Sequence, residues 1–282
     1  MSQGGAIVVT GASSGIGLAC TQALAQRGYD VFAGVRQDAD FNRLGTLSGV
    51  TPLRLDVTDQ PAVELAVASV RERCVTLRAV ISNAGIAVAG PLEYLPLDDL
   101  RRQFEVNVIG ALAITQAFLP LLRTTSGRII FIGSISGRLA VPYIGPYGAS
   151  KAALRALAGA LRVELAPAHV GVVLIEPSSV RTPIWQKGLD GEEQLRRRIG
   201  AAGVQIYGRV IDAMVAETRR QDKDGMPVES VVAAIVRAIE ARRPPAEVLV
   251  GIRARLGSVV AALPPRLRDR MLVRSLRLPV HG

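Results

Sequence analysis

Seven short runs of apolar and β-branched residues recur along the chain, at 6–10, 30–35, 52–56, 79–82, 128–133, 171–176 and 247–251. Most are continuously apolar, as strands covered on both faces must be. Between them lie longer segments of helical spacing near 16–28, 59–73, 97–123, 147–166 and 228–242. Strands joined through helices run parallel, because each crossover returns the chain to the same end of the sheet. The pattern predicts a doubly wound α/β fold with a mainly parallel seven-stranded sheet, built as one domain over residues 1–251. Two stretches break the alternation: 183–226, long and mixed, and 252–282, an extension rich in arginine and proline.

Composition narrows the partners. A net charge of +10 would suit nucleic acid, anionic lipid or acidic substrates. Lysine, however, supplies only three of the 34 basic residues, at 151, 187 and 223. So uniform an arginine bias, with no nucleic-acid motif beside it, leaves nucleic acid an unexpected partner. Two cysteines, Cys20 and Cys74, both in segments of helical spacing, give no disulfide framework in 282 residues and suit a reducing cytoplasm. The N-terminus carries no basic region before its apolar run, and no uninterrupted apolar stretch reaches the ~18 residues of a membrane span. A cytoplasmic chain is expected. No metal is expected either, because His169 and His281 lack a carboxylate or cysteine at ligand spacing. His169, between a helical segment and a strand, is placed for capping or a loop.

The first apolar run leads into Thr10-Gly11-Ala12-Ser13-Ser14-Gly15-Ile16-Gly17 and then into a helical segment. Glycines there let the backbone turn tightly and approach a pyrophosphate, which lies at a helix N-terminus where unpaired N–H groups and the dipole favour anions. No Gly-Lys-Ser or Gly-Lys-Thr is present for the alternative phosphate cradle. With its G-x-x-x-G-x-G spacing, the turn resembles that of the short-chain dehydrogenase/reductase family. The resemblance covers most of the chain. Ser82-Asn83-Ala84-Gly85 is similar to the family's NNAG element with serine at its first position, and Asp56-Val57 to the pair that holds the adenine. Pro177-Ser178-Ser179-Val180-Arg181-Thr182 stands where the family has Pro-Gly and then a threonine that reaches the nicotinamide carboxamide or pyrophosphate. Serine replaces that glycine, which implies a tighter backbone near the nicotinamide. The family implies a Rossmann fold and a nicotinamide cofactor held by Thr10, Gly11, Ser13, Ser14, Gly15, Ile16, Gly17, Asp56, Val57, Asn83, Ala84, Gly85, Pro177 and Thr182.

Arg36 closes the second strand, where a carboxylate would accept from a ribose 2′-hydroxyl and an arginine would pair with a 2′-phosphate. Asp38 is better placed to cap the next helix. NADP is therefore favoured over NAD, with Arg36 as a merely solvated charge the competing reading.

Tyr147-Gly148-Ala149-Ser150-Lys151 puts a phenol and an ammonium one helical turn apart, on one face. A nearby cation, aided by oxidised nicotinamide, would lower the tyrosine toward a range useful for moving an alcohol or carbonyl proton. Ser134 lies thirteen residues before Tyr147, and Asn107 twenty-seven before Ser134. Both intervals match the family's Asn-Ser-Tyr-Lys set. The resemblance implies that Ser134 orients the substrate oxygen, Lys151 also holds the nicotinamide ribose, and Asn107 fixes a water in a proton relay. For Asn107 the competing role is a mid-helix asparagine bonded to backbone.

The expected activity is interconversion of an alcohol and a carbonyl by hydride transfer. Two rivals are a non-catalytic dinucleotide-binding regulator and an epimerase or dehydratase on the same scaffold. The first should lack one of the four catalytic positions; the second usually adds a larger substrate domain. The segment 183–226 is long enough for a lid and supplies Trp185, Ile206, Tyr207 and Met214, while Val141, Pro142 and Tyr143 flank Tyr147. These would line an apolar pocket, with Val141, Tyr143, Trp185 and Tyr207 the leading substrate contacts. The residues around Val35-Arg36 and the arginine-rich end resemble the hydroxysteroid and retinol dehydrogenase branch and its bacterial relatives, which implies a small lipophilic alcohol or ketone. Helices 97–123 and 147–166 are apolar over long spans, which predicts a homodimer or homotetramer. In the tail, Leu267, Met271, Leu272, Leu276 and Leu278 lie among arginines, a pattern open to peripheral membrane contact or to packing on protein.

Overall fold

The computed structural model describes residues 4–73, 76–182, 184 and 192–275. Its first half runs β1 (Ala6–Thr10), α1 (Gly15–Gln26), β2 (Asp30–Val35), α2 (Asp38–Gly45), β3 (Val50–Arg54), α3 (Gln60–Arg73), β4 (Leu77–Ser82), α4 (Leu97–Phe104) and α5 (Gly110–Thr125). The second runs β5 (Arg128–Ile132), α6 (Gly145–Glu164), β6 (Gly171–Pro177), α7 (Glu192–Asp224), α8 (Val228–Glu240), β7 (Glu247–Val250), α9 (Ile252–Ala261) and α10 (Pro265–Ser275). The seven strands pair in parallel in the order β3-β2-β1-β4-β5-β6-β7. The expected doubly wound sheet is therefore present, and its strand order reverses between β1 and β4.

Alternation along each strand divides the core in two. Ile7, Val9, Val31 and Ile130 face α1 and α8, against Cys20, Leu24, Ile235 and Ile239. Val8, Phe32, Val80 and Phe131 face the opposite layer, against Val63, Ile114, Phe118 and Leu154. Burial pushes the Cys20 thiol up to about 12, so it serves as a small apolar core group. Cys74 lies outside the described residues.

The helix expected over 97–123 is interrupted. A π-helical turn, Glu105–Ile109, separates α4 from α5 and carries Asn107 at its centre. The run from Leu97 to Thr125 is long and apolar enough to cross a membrane by length and composition. Gly110, Ala111, Ile114, Phe118 and Leu122 are nevertheless buried against the protein, as expected of a core helix. Asp38 does not cap α2. Gln37 holds that position, and Asp38 takes the first helical place and pairs with Arg54, so its charge still favours the helix N-terminus. His169 ends a 3-10 turn in the left-handed region, its N–H donating to the Ala166 carbonyl, as a loop residue would.

At the far end of the sheet Glu176, 1% exposed, accepts from Arg138 Nε at 2.8 Å, and Arg138 also pairs with Glu247. A buried carboxylate requires such partners. The pair fastens the segment after β5 to β6 and β7. Beyond β6, Val180 bridges Met226, and the Met226 N–H donates to the Ser179 carbonyl at 2.9 Å. The chain on either side of this segment is thus joined at one point, Val180 against Met226.

Candidate active site

The β1–α1 turn is built around what glycine lacks. Gly11 and Gly15 have φ of +64° and +53°, which L side chains rarely adopt. A Cβ on Gly17 would lie 2.2 Å from the Gly11 carbonyl oxygen, so only glycine lets α1 approach the turn this closely. Ser14 is the N-cap, and its hydroxyl is not spent on capping. Thr10 departs from the expected cofactor set. It is buried beneath the turn, its hydroxyl accepting the Asn83 and Ala84 N–H groups at 3.0 Å each, and it fastens β1 to the β4 loop. Gly17 likewise acts through packing. Pro177 is buried at the end of β6.

In front of this turn, where the strand order reverses, lies a cleft of about 290 Å³. Its walls include Gly11, Ser13, Ser14, Gly15, Ile16, Arg36, Asp56, Val57, Asn83, Ala84, Gly85 and Thr182 from the expected set. Sequence reasoning missed Ile86, Ala87, Arg102, Val106 and Ile184, which also line it. None belongs to a motif; they reach the cleft through the folding of α4 and the loops. Asn83 Nδ2 donates to the Thr10 and Gly11 carbonyls at 2.9 and 3.1 Å and so holds the turn open. Burial raises the Asp56 carboxyl, but hydrogen bonds from Thr58 and the Arg36 charge outweigh it and hold the group below its usual range. Arg36 is half exposed and 3.7 Å from that carboxylate, close to the cleft wall. A helix N-terminus, a glycine cradle and arginines beside it suit a dinucleotide with its pyrophosphate.

The four expected catalytic residues converge behind this cleft. Ser134 ends β5 and its hydroxyl caps a 3-10 turn, accepting the Ser136 N–H at 3.1 Å; it also hydrogen-bonds the Tyr147 hydroxyl. Tyr147 and Lys151 share the buried face of α6, with Nζ 5.7 Å from the phenol ring centroid. Lys151 Nζ donates to the Ile132 carbonyl at 2.7 Å. The π turn brings Asn107 inward, a recurrent use of such turns at functional sites. Its Oδ1 accepts the Ile86 N–H at 2.9 Å, and its Nδ2 donates to the Ile86 carbonyl at 3.0 Å and to Ser150 Oγ at 3.1 Å. Asn107 therefore clamps the β4 loop to α6, combining backbone bonding with a tie to the catalytic helix.

Burial sets the protonation states of the protein alone. Burial pushes the Tyr147 phenol up to about 12, only partly offset by the Ser134 hydrogen bond, and pushes Lys151 down to about 8. Desolvation penalises both charged forms, and in the protein alone it outweighs the lowering expected from a neighbouring cation. At neutral pH Tyr147 carries its proton.

The expected substrate residues divide. Tyr143, with φ of +66°, meets Tyr207 of α7 edge-on at 6.3 Å between ring centroids, and its carbonyl accepts the Gly90 N–H at 2.7 Å. Val141 lies half-buried in the same segment. Ile206 is 59% exposed. Trp185 lies outside the described residues. Ser178, half-buried, packs its hydroxyl where a Cβ on Gly251 would stand, 3.0 Å away, so the serine faces the β7–α9 turn.

Residues 5–193 match the family model described as short chain dehydrogenase, and the chain belongs to that family. It is 33% identical over 280 residues to an NADPH-dependent 3-dehydrocapnine reductase of Ornithobacterium rhinotracheale, covering 96% of both chains. It is 28% identical over 277 residues to a 3-ketodihydrosphingosine reductase of Bacteroides thetaiotaomicron, again 96% of each. Its fold superposes on a short chain dehydrogenase/reductase from Burkholderia phymatum in complex with NAD, with a TM-score of 0.79, 25% identity and coverage of 99% and 98%. The protein is an NAD(P)-dependent short-chain oxidoreductase.

Proposed function

We propose that this protein reduces the ketone of a lipophilic, long-chain substrate to a secondary alcohol, with NADPH preferred over NADH. The observation that carries the chemistry is the buried Ser134–Tyr147 hydroxyl pair beside Lys151, whose Nζ lies 5.7 Å from the phenol ring. The phenol is protonated at neutral pH, the form that can give a proton to a carbonyl oxygen, and the reductase names of two relatives spanning nearly the whole chain support that direction. Bound NADPH would supply the hydride. Ser134 would donate to the carbonyl oxygen and fix its position, Tyr147 would give the proton as charge develops there, and Lys151 would hold the ribose hydroxyls. Asn107 acts by positioning α6 through Ser150. Two relatives spanning nearly the whole chain are named for reduction of 3-dehydrocapnine and 3-ketodihydrosphingosine, which supports a lipid ketone. Arg36 at the cleft wall supports the choice of NADPH.

The test is turnover of a panel of long- and short-chain ketones with each cofactor. NADPH oxidation that rises with substrate chain length is expected. Equal rates on short polar ketones would refute the lipophilic part, and no turnover with any carbonyl would favour a non-catalytic dinucleotide-binding regulator.

A further inference from the structure

We propose that α9 and α10 together form a docking surface for an anionic lipid membrane. Ile252, Leu256 and Val259 are 68, 59 and 65% exposed and stand at i, i+4 and i+7, on one face of α9. The opposite face is buried, with Ala254 fully covered and a Cβ on Gly257 placed 2.8 Å from Ile135. Leu267 and Met271, 48 and 43% exposed, continue the pattern on α10. So many large apolar side chains in two consecutive short helices exceed the scattered exposure normal on a surface.

The charges select the occupant. Arg253 and Arg255 flank the apolar face of α9, and Arg266, Arg270 and Arg274 are exposed around that of α10. Asp269 is the one acidic residue from 252 to 275, and it pairs with Arg268 at 3.2 Å. A second copy on this face would set arginines against arginines, which like charges disfavour. A bilayer accepts the apolar side chains at its acyl boundary while the arginines reach anionic headgroups. The placement also has a use. α9 rests on Ile135, the residue after Ser134, and its first turn follows Gly251, which touches Ser178. Docking would set the catalytic end of the molecule, rather than the glycine turn, beside the lipid. The surface itself does not depend on the identity of the substrate.

The experiment is co-sedimentation of the full chain with vesicles of phosphatidylcholine, alone or mixed with phosphatidylglycerol. Binding to the mixed vesicles only, weakened by salt, is expected. Leu256→Glu combined with Met271→Glu should lower it roughly tenfold or more, with melting temperature and NADPH binding unchanged because both positions are exposed. Arg266→Gln with Arg270→Gln should lower it by about tenfold and flatten the salt dependence. Absence of binding to the mixed vesicles, or equal binding by the first variant, overturns the proposal. So does a variant that shifts to a smaller species in sedimentation velocity while the parent chain ignores vesicles, because the face would then join copies of the chain.

Discussion

Around the glycine turn, backbone meets backbone: Gly17 faces the Gly11 carbonyl, Gly11 faces Ala84, and Thr10 and Asn83 close the remaining bonds. Between α7 and the segment before α5, the chain is fastened by side chains instead. Arg198 of α7 reaches Asp99 at 3.1 Å, Tyr207 donates to Glu93 at 2.6 Å, and Tyr94 meets Tyr207 edge-on at 5.9 Å. These partners are exposed or half-exposed, and each such contact contributes little. The two regions therefore differ in what they can do. The first is a rigid backbone cradle, and the second is held by contacts that are cheaper to break.

The largest expected effect lies at the junction of the two regions. Tyr147→Phe removes one buried oxygen, and ketone reduction should fall by about 10³-fold or more while NADPH affinity stays within a few-fold, read by steady-state rates and fluorescence titration. Substantial retained activity would sink the assignment. The pH profiles carry a sign. Reduction uses the protonated phenol, which persists to about 12, so its decline should follow loss of the Lys151 charge above about pH 8. Alcohol oxidation uses the phenolate and should instead gain as pH rises from neutrality. Profiles that fall together in both directions would remove the acid role from Tyr147.

Gly17→Ala probes the rigid region directly. Its Cβ would meet the Gly11 carbonyl oxygen at 2.2 Å and Asn83 Nδ2 at 2.6 Å, and a backbone oxygen cannot turn aside. A stability loss of about 2–3 kcal/mol is expected in urea melts, with NADPH binding weakened along with it. Unchanged melts and affinity would show that this cradle is softer than its contacts imply.

These contrasts track what the sequence discloses. Gly11, Gly15 and Asn83 are legible because their roles are local or tied to a strand end, and the Asn-Ser-Tyr-Lys intervals survive as spacings. The strand pattern was legible for the same reason, with ends shifted by a residue or two. Thr10 misled because its hydroxyl turns under the turn toward Asn83, a contact 73 residues away. Arg102 reaches the cleft, and Arg138 reaches Glu176, only once distant segments pack, and no local pattern marks either. The phenol's upward shift depends on burial, which spacing alone does not report.

Arg36→Asp tests whether the cradle also reads the cofactor. It exchanges a cation at the cleft wall for a carboxylate beside Asp56, so the NADPH to NADH ratio of kcat/KM should drop by about 10- to 100-fold. An unmoved ratio would show that Arg36 does not contact the 2′-phosphate and would shift attention to other cations along the cleft.

The smallest effect is expected in the lid. Gly200 interrupts α7 with φ of +64° and ψ of −177°, a conformation open almost only to glycine, yet no atom lies within 4 Å of a Cβ built there. Gly200→Ala is thus free of clash and opposed by backbone torsion alone, at about 1–3 kcal/mol if the kink persists. Straightening the helix instead would strain the Arg196–Asp212 pair, 2.6 Å across the kink, and shift the buried Ile199, Val210 and Ile211. Straightening would move Arg198 relative to Tyr207, and if α7 covers the substrate as proposed, KM for the ketone should rise a few-fold. NADPH affinity should hardly move and the melting temperature should fall only slightly, since no atom of the glycine cradle or the sheet core lies within 4 Å of a Cβ at Gly200. If Gly200→Ala instead weakened NADPH binding as much as Gly17→Ala, the two regions would be one mechanical unit.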